Sequence, residues 1–276
     1  MNYPTDPASA LTDAIGVRHK PAGEKARIVS LVPSLTELLI EMDLSDHLVG
    51  RTHYCIHPAD RVQEIRSIGG TKKINVPRLK ELAPTHVIVN VDENTKEMVD
   101  LIAPIVPHVI VTHPIEPEDN LPLFRLMGAV FRREQKAEEL CKRFNAALEK
   151  AKSAGQRAIS QRVLYLIWKE PWMTVSADTY ISRMLAIIGW QTVAHDPDTR
   201  YPEIAMTEEF LRDVELVLFS SEPFTFTQSD ADEFNAAHPA GPRALFLDGE
   251  MTSWYGSHAI QGLNYLEDLA LKTLPK

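Results

Sequence analysis

Short apolar, β-branched runs alternate with amphipathic stretches along the whole chain. Residues 28–32, 48–52, 86–90 and 109–112 form such runs in the first half, and 163–167, 217–220 and 245–248 form them in the second. Runs of four or five residues with few polar interruptions suit strands covered on both faces, as in a parallel sheet. Their alternation with helical patterns predicts an α/β fold. The first helix should be capped by Ser34, because Ser34-Leu35-Thr36-Glu37 has the spacing of a capping box and Pro33 stands just before it.

The most periodic segment is 133–154. Ala137, Leu140, Cys141, Phe144, Ala147, Leu148 and Ala151 recur at spacings of three and four, which places them on one stripe of a helix. At about 1.5 Å per residue the segment would span roughly 33 Å, and Gly155 stands where a helix-ending glycine belongs. Cys141 lies on the stripe and reads as a small core residue. The predicted organisation is two Rossmann-like α/β lobes joined by one long rigid α-helix, with an N-terminal lobe over 1–130, the linking helix over 131–156 and a C-terminal lobe over 157–276.

A chain of 276 residues can bury a core in each of two lobes. The net charge of −9 gives no electrostatic footprint for nucleic acid. That charge is uneven: residues 1–155 carry 20 basic and 21 acidic side chains, and 156–276 carry 9 and 17. The second lobe would therefore repel anionic ligands unless local cations intervene. Two cysteines cannot make a disulfide framework. No run approaches the ~18 apolar residues of a membrane span. The opening MNYPTDPASA lacks the basic start and apolar stretch of a secretory signal, so the expectation is a cytoplasmic chain or one already relieved of its leader.

The chain holds no glycine-rich dinucleotide or P-loop motif, no Gly-x-Ser-x-Gly elbow, no His-Glu-x-x-His and no Cys-x-x-Cys. Gly69-Gly70-Thr71-Lys72 lacks phosphate-loop spacing and reads as a turn. His53-Tyr54-Cys55-Ile56-His57 offers a metal hypothesis: in extended backbone His53, Cys55 and His57 would share one face. Such close alternation is poor tetrahedral geometry, and Pro58 turns the chain at once, so loop packing or ligand contact is the favoured reading.

In open α/β sheets, ligands collect beyond the carboxyl ends of the strands. Beyond the predicted strands of the first half stand Ser34, then His53 and Tyr54, then Asp92, Glu93 and Asn94. In the second half Trp168 and Trp172 come first, then Ser221-Glu222-Pro223-Phe224, then Trp254-Tyr255. Ser34 would bring a helix N-terminus to an anionic group. Three of the four tryptophans fall at these edges, which favours a large, flat, partly apolar ligand.

Several segments together resemble the helical-backbone substrate-binding proteins of ABC importers, which carry vitamin B12, ferric siderophores or haem. They are Arg27-Ile-Val-Ser-Leu-Val-Pro-Ser-Leu-Thr-Glu37, Leu48-Val-Gly-Arg-Thr-His-Tyr54, Leu79-x-x-Leu-x-Pro84-x-x-Val-Ile88 and Ser253-Trp-Tyr-Gly-Ser257. Asp13-Ala-Ile-Gly16 is similar to the hairpin that opens many of them. Trp168-x-x-Pro-Trp-Met-Thr174, Arg200-Tyr-Pro202, Ser220-Ser-Glu-Pro-Phe224 and Asp248-Gly-Glu-x-x-Ser-Trp-Tyr255 resemble an atypical branch without an evident signal peptide. The resemblance implies a ligand cleft between two lobes and little hinge motion. Tyr54 and Trp254 match positions where cobalamin binders stack aromatics, whereas Thr71 and Asn90 replace further aromatics. Family members dock on a permease through one glutamate per lobe. Glu208 or Glu209 fits in the second lobe, and Pro77 replaces the first-lobe acid, with Lys72, Lys73 and Arg78 nearby.

On these grounds the chain is expected to be a monomeric binding protein, not an enzyme, that holds a metal chelate (corrinoid, ferric siderophore or haem) for ABC-type import. No intrinsic cofactor or metal is expected. The expected ligand contacts are Ser34, Tyr54, Lys72, Asn94, Trp172, Arg200, Glu222, Trp254 and Tyr255, with Arg200 paired to Glu222 or to an acidic ligand group, or else held in a surface salt bridge. Permease docking is expected through Glu208. The resemblance points to the periplasm. Two alternatives stay open: a cytoplasmic binder or sensor of the same ligands, and a metal-dependent enzyme using His53, Cys55 and His57 with Glu222.

Overall fold

In the computed structural model, which describes residues 9–193 and 198–273, the apolar runs become the strands of two sheets. The first half runs β1 (Ile28–Ser30), α1 (Pro33–Glu41), β2 (Leu48–Arg51), α2 (Ala59–Val62), α3 (Val76–Leu82), β3 (His86–Asn90), α4 (Lys96–Ile102), β4 (His108–Thr112) and α5 (Asn120–Phe131). The strand order is β2-β1-β3-β4, with every pair parallel. Every residue of β1 and β3 is buried, as both-face coverage requires of a parallel sheet. Val29, Leu31, Val87 and Val89 pack with Leu79 of α3 and Ile102 of α4 in one apolar cluster.

α6 (Glu134–Gly155) carries the long stripe as expected. Ala137, Leu140, Cys141, Phe144, Ala147, Leu148 and Ala151 are each no more than 5% exposed. The chain then continues through β5 (Gln161–Trp168), β6 (Met173–Thr174), α7 (Tyr180–Ala186), β7 (Trp190–Thr192), α8 (Glu208–Leu211), β8 (Leu216–Ser220), α9 (Gln228–Ala237), β9 (Arg243–Leu247), α10 (Glu250–Ser253) and α11 (His258–Lys272). β5, β8 and β9 are parallel neighbours in that order. β7 runs parallel along the start of β5 and β6 runs antiparallel along its end, so the two share the edge of β5 that faces away from β8. Leu164, Leu166, Val217, Phe219, Phe226 and Phe234 belong to this sheet's core.

The chain divides into two compact units. The first contains residues up to Pro114, Glu118–Phe144 and Tyr255–His258; the second contains Ile115–Pro117, Asn145–Trp254 and the chain from Ala259 onward. Tyr255 thus belongs to the first unit, although its place in the sequence is after the last strand of the second.

Two local expectations are corrected. The capping box does not form: Val32 is the N-cap without a side-chain bond, Pro33 enters the first turn, and Thr36 Oγ1 donates back to the Val32 carbonyl at 2.9 Å. Proline in the first turn lacks only an N–H that the helix would leave unpaired. Glu37 is thereby released to meet His258, Oε2 to Nδ1 at 2.9 Å. The sequence pattern also gave no sign of β6 and β7, which have two and three residues. Periodicity has no purchase on strands so short, yet β7 buries the whole of Trp190.

Candidate functional site

Strand order reverses between β1 and β3 in the first unit and between β5 and β8 in the second. Beyond the carboxyl ends at such a reversal the connections diverge to opposite sides and leave a crevice. Each rim is built from local chain geometry.

On the first unit, β2 ends in a turn at His53-Tyr54, fixed by the His53 N–H on the Gly69 carbonyl at 2.8 Å. Gly69 has φ +132°, a conformation open to glycine. A Cβ on Gly70 would lie 3.1 Å from His53 Cε1 and 3.3 Å from Tyr54 Cε2, so the glycine pair lets the two rings lie over this loop. Tyr54 is 55% and Ile56 50% exposed. Cys55 between them is fully buried; its sulfur lies 3.0 Å from Thr36 Oγ1 and 3.2 Å from Thr52 Oγ1. Burial pushes this thiol up, against the lowering effect of both hydroxyls.

The turn removes the extended backbone on which the metal hypothesis for His53, Cys55 and His57 depends. Cys55 goes beneath α1, the His53 ring packs on Tyr54 at 4.1 Å, and the His57 ring faces His258 at 6.2 Å. Among the described residues, no group of three or more His, Cys, Asp or Glu side chains is arranged to hold a metal ion.

After β3, Asn94 acts as a strut. Its Oδ1 accepts the Asn90 N–H at 2.9 Å, and its Nδ2 donates to the carbonyls of Leu31 at 3.2 Å and Thr71 at 2.8 Å. Lys72 Nζ donates to the Asp92 carbonyl at 2.8 Å, and the Asp92 carboxylate lies 3.5 Å from His113. The Tyr255 hydroxyl donates to Glu93 Oε1 at 2.6 Å. Burial first, and then the Glu93 charge, hold this phenol well above its ordinary range.

On the second unit, Trp168 ends β5 and stays 41% exposed. It meets Phe224 edge-on at 5.5 Å; Phe224 lies 4.6 Å from Phe226, on which Trp172 stacks at 6.1 Å and 6°. Lys169 Nζ sits 5.7 Å above the Trp172 ring. Glu222 comes after β8, and its Oε1 accepts from Ser253 Oγ at 2.6 Å and Trp254 Nε1 at 2.8 Å. Burial raises the Glu222 carboxyl and the Glu250 and Asp248 charges add to the rise, while the two donors oppose it.

A raised carboxyl stabilises the fold below its unfolded value, and that contribution is lost as pH climbs through the folded value. Glu222→Gln keeps an oxygen for both donors and removes the charge. We expect denaturation midpoints measured between pH 4 and 8 to show the variant gaining on the native protein as pH rises. Equal midpoints across that range would refute this.

Four of the expected ligand contacts are buried. Ser34 is 2%, Asn94 5%, Tyr255 6% and Trp254 8% exposed. Asn94, Tyr255 and Trp254 spend their polar groups on Leu31, Thr71, Glu93 and Glu222, and Ser34 lies within the first turn of α1. Their polar groups brace the rims. Arg200 answers Asp178, with Nη2 on its carbonyl at 3.1 Å and Nε 3.6 Å from its carboxylate, in place of the expected Glu222. Tyr54, Lys72, Trp172 and Glu222 do stand at the rims. Glu208 is exposed in the first turn of α8, which Thr207 caps through Phe210 N at 3.2 Å. Sequence reasoning missed Glu93 and Phe224 as structural partners; a carboxylate and an aromatic immediately after strands were the available signals.

Parallel α/β units with braced rims and exposed ring faces define a ligand-binding protein. The periplasmic binding protein family model matches residues 28–240, and the chain belongs to that family. A vitamin B12-binding protein of Yersinia pseudotuberculosis is 21% identical over 230 residues, 83% of this chain and 80% of the relative. A periplasmic haem-binding protein of Roseiflexus sp. RS-1 in apo form superposes with a TM-score of 0.74 at 19% identity, covering 90% of this chain and 99% of that one. An ABC transporter substrate-binding protein of Listeria monocytogenes gives 0.72 at 18%, covering 89% and 98%. These likenesses show the fold.

Proposed function

We propose that this chain is the substrate-binding component of an ABC-type importer and takes a metal chelate of the corrinoid, haem or ferric-siderophore kind. The observation that carries the reading is the pair of exposed rings beyond the carboxyl ends of β2 and β5, Tyr54 on the first unit and Trp168 on the second. Relatives named for vitamin B12 and haem, both metal chelates built on a broad macrocycle, support it. The reading assigns ligand contacts rim by rim: Tyr54 and Lys72 on the first; Trp168, Trp172, Arg200 and Glu222 on the second. It takes the protein as a binder without catalysis, working in the periplasm as a monomer, and Glu208 as a permease contact. Pro77 leaves the start of α3 without a matching acid.

Titration with cyanocobalamin, haemin and a ferric hydroxamate, followed by tryptophan emission, tests the reading. Saturable quenching by one of them supports it, and no saturation by any overturns it. For the chelate that binds, Tyr54→Ala should weaken affinity roughly 3- to 10-fold by calorimetry, the equivalent of one lost stacking contact. An unchanged dissociation constant removes Tyr54 from the site.

A further inference from the structure

At the end of the first sheet away from its rim, the amino ends of β3 and β4 bring His86 and His108 into register. Their rings stack at 4.8 Å and 26°, with Phe131 edge-on to His86 at 5.3 Å. A cavity of about 260 Å³ opens beside them, lined by Lys20, Lys25, His86, His108, Thr85 and the backbone around Pro21–Gly23. Among the described residues, no carboxylate lines it. The nearby Asp13 is already committed to His19 at 3.0 Å and to the N–H groups of Ile15, Val17 and Val111.

We propose that this cavity binds a small oxyanion of the phosphate type, either free or as a phosphomonoester. Three observations converge. His86 is only 5% exposed; its Nδ1 meets Thr85 Oγ1 at 2.8 Å, while its Nε2 has no hydrogen-bond partner among the described residues. That nitrogen is not among the sealed, unpartnered polar atoms of the described residues, so it stays open to a group that enters the cavity. Lys20 and Lys25 are exposed and have no ion-pair partner among the described residues, in a chain whose net charge is −9. The volume falls below the range typical of drug-sized ligands, about 300–1,000 Å³, and suits a compact group.

Burial, with the charges of His108 and His19, pushes His86 down to about 4. At neutral pH its ring is therefore uncharged, and the lysines supply the positive charge. A transition metal fits less well, because two ammonium groups oppose it and the stacked imidazoles lie side by side instead of converging.

The test is calorimetric titration of the whole protein with inorganic phosphate at low ionic strength. Wild type should bind saturably, the double variant Lys20→Ala/Lys25→Ala at least 10-fold more weakly, and His86→Gln more weakly with an unchanged circular dichroism spectrum. Phosphate should also shift the His86 imidazole resonances. Vesicles of phosphatidylcholine with and without phosphatidic acid separate the two sources: flotation abolished in the double variant keeps the chemistry and assigns it to a headgroup. Absence of saturable binding in both arms overturns the proposal. So does equal binding by the double variant, or zinc binding that is lost in His108→Ala while phosphate has no effect.

Discussion

Phe219→Ala should lower the stability of the protein by about 3–5 kcal/mol, the range for emptying a buried phenylalanine site. Phe219 is 2% exposed in the middle of the second unit's sheet. It packs edge-on against Phe226 at 5.2 Å and 89° and against Trp172 at 6.3 Å and 85°, and it meets Phe234 of α9 at 5.8 Å. β8 is held by β5 on one side and β9 on the other, so its backbone cannot move in to fill the void. The rings around it sit on separate segments and cannot close together without breaking contacts of their own. Urea denaturation of the variant, compared with Phe219→Leu, checks this: alanine should cost more than twice what leucine costs. A loss below 1 kcal/mol would mean that the site collapses freely. Trp172 would also lose an aromatic neighbour, so the same substitution should loosen the rim.

Asn94→Ala should cost about 3 kcal/mol, because it strands three backbone groups at once. The Asn90 N–H and the carbonyls of Leu31 and Thr71 each lose a partner, and a buried group left unsatisfied costs about 1–3 kcal/mol. Asn94→Asp separates the parts: the carboxylate keeps the acceptor for Asn90 but turns a charged oxygen toward the Leu31 and Thr71 carbonyls, so at neutral pH it should cost at least as much as alanine and should recover as the acid is protonated. Thermal melts followed by circular dichroism measure the order. If Asn94→Ala were neutral and instead weakened ligand binding, the side chain would be a ligand contact after all. Thr71 precedes Lys72, so losing the strut should also free the lysine from the Asp92 carbonyl.

The layered fold was legible because burial on two faces imposes continuous apolar strands and a three-four stripe, and no other arrangement hides Val87, Ile88 and Val89 or the run from Ala137 to Ala151. Cap chemistry was less legible. Ser34 and Glu37 have the right spacing, but a shift of two residues in the helix start leaves Glu37 to His258, a partner 221 positions away. The same limit applies to the rims. Trp168 and Trp254 both stand after strands, yet one is 41% exposed and the other 8%. They differ in whether a carboxylate from a distant loop, here Glu222, reaches the indole N–H. Asn94 resembles a polar ligand contact in sequence and turns out to be consumed by backbone. Residue type reports what a side chain can do; long-range packing decides whether it is already employed.

Every tryptophan of the chain, Trp168, Trp172, Trp190 and Trp254, lies in the second unit. The protein is therefore spectroscopically one-sided. Indole emission will register the melting of the sheet around β5 and β8, with the enclosed Trp190 emitting blue of the more exposed Trp168. Unfolding confined to the first sheet would pass unseen by that signal, and only backbone dichroism or amide exchange would record it.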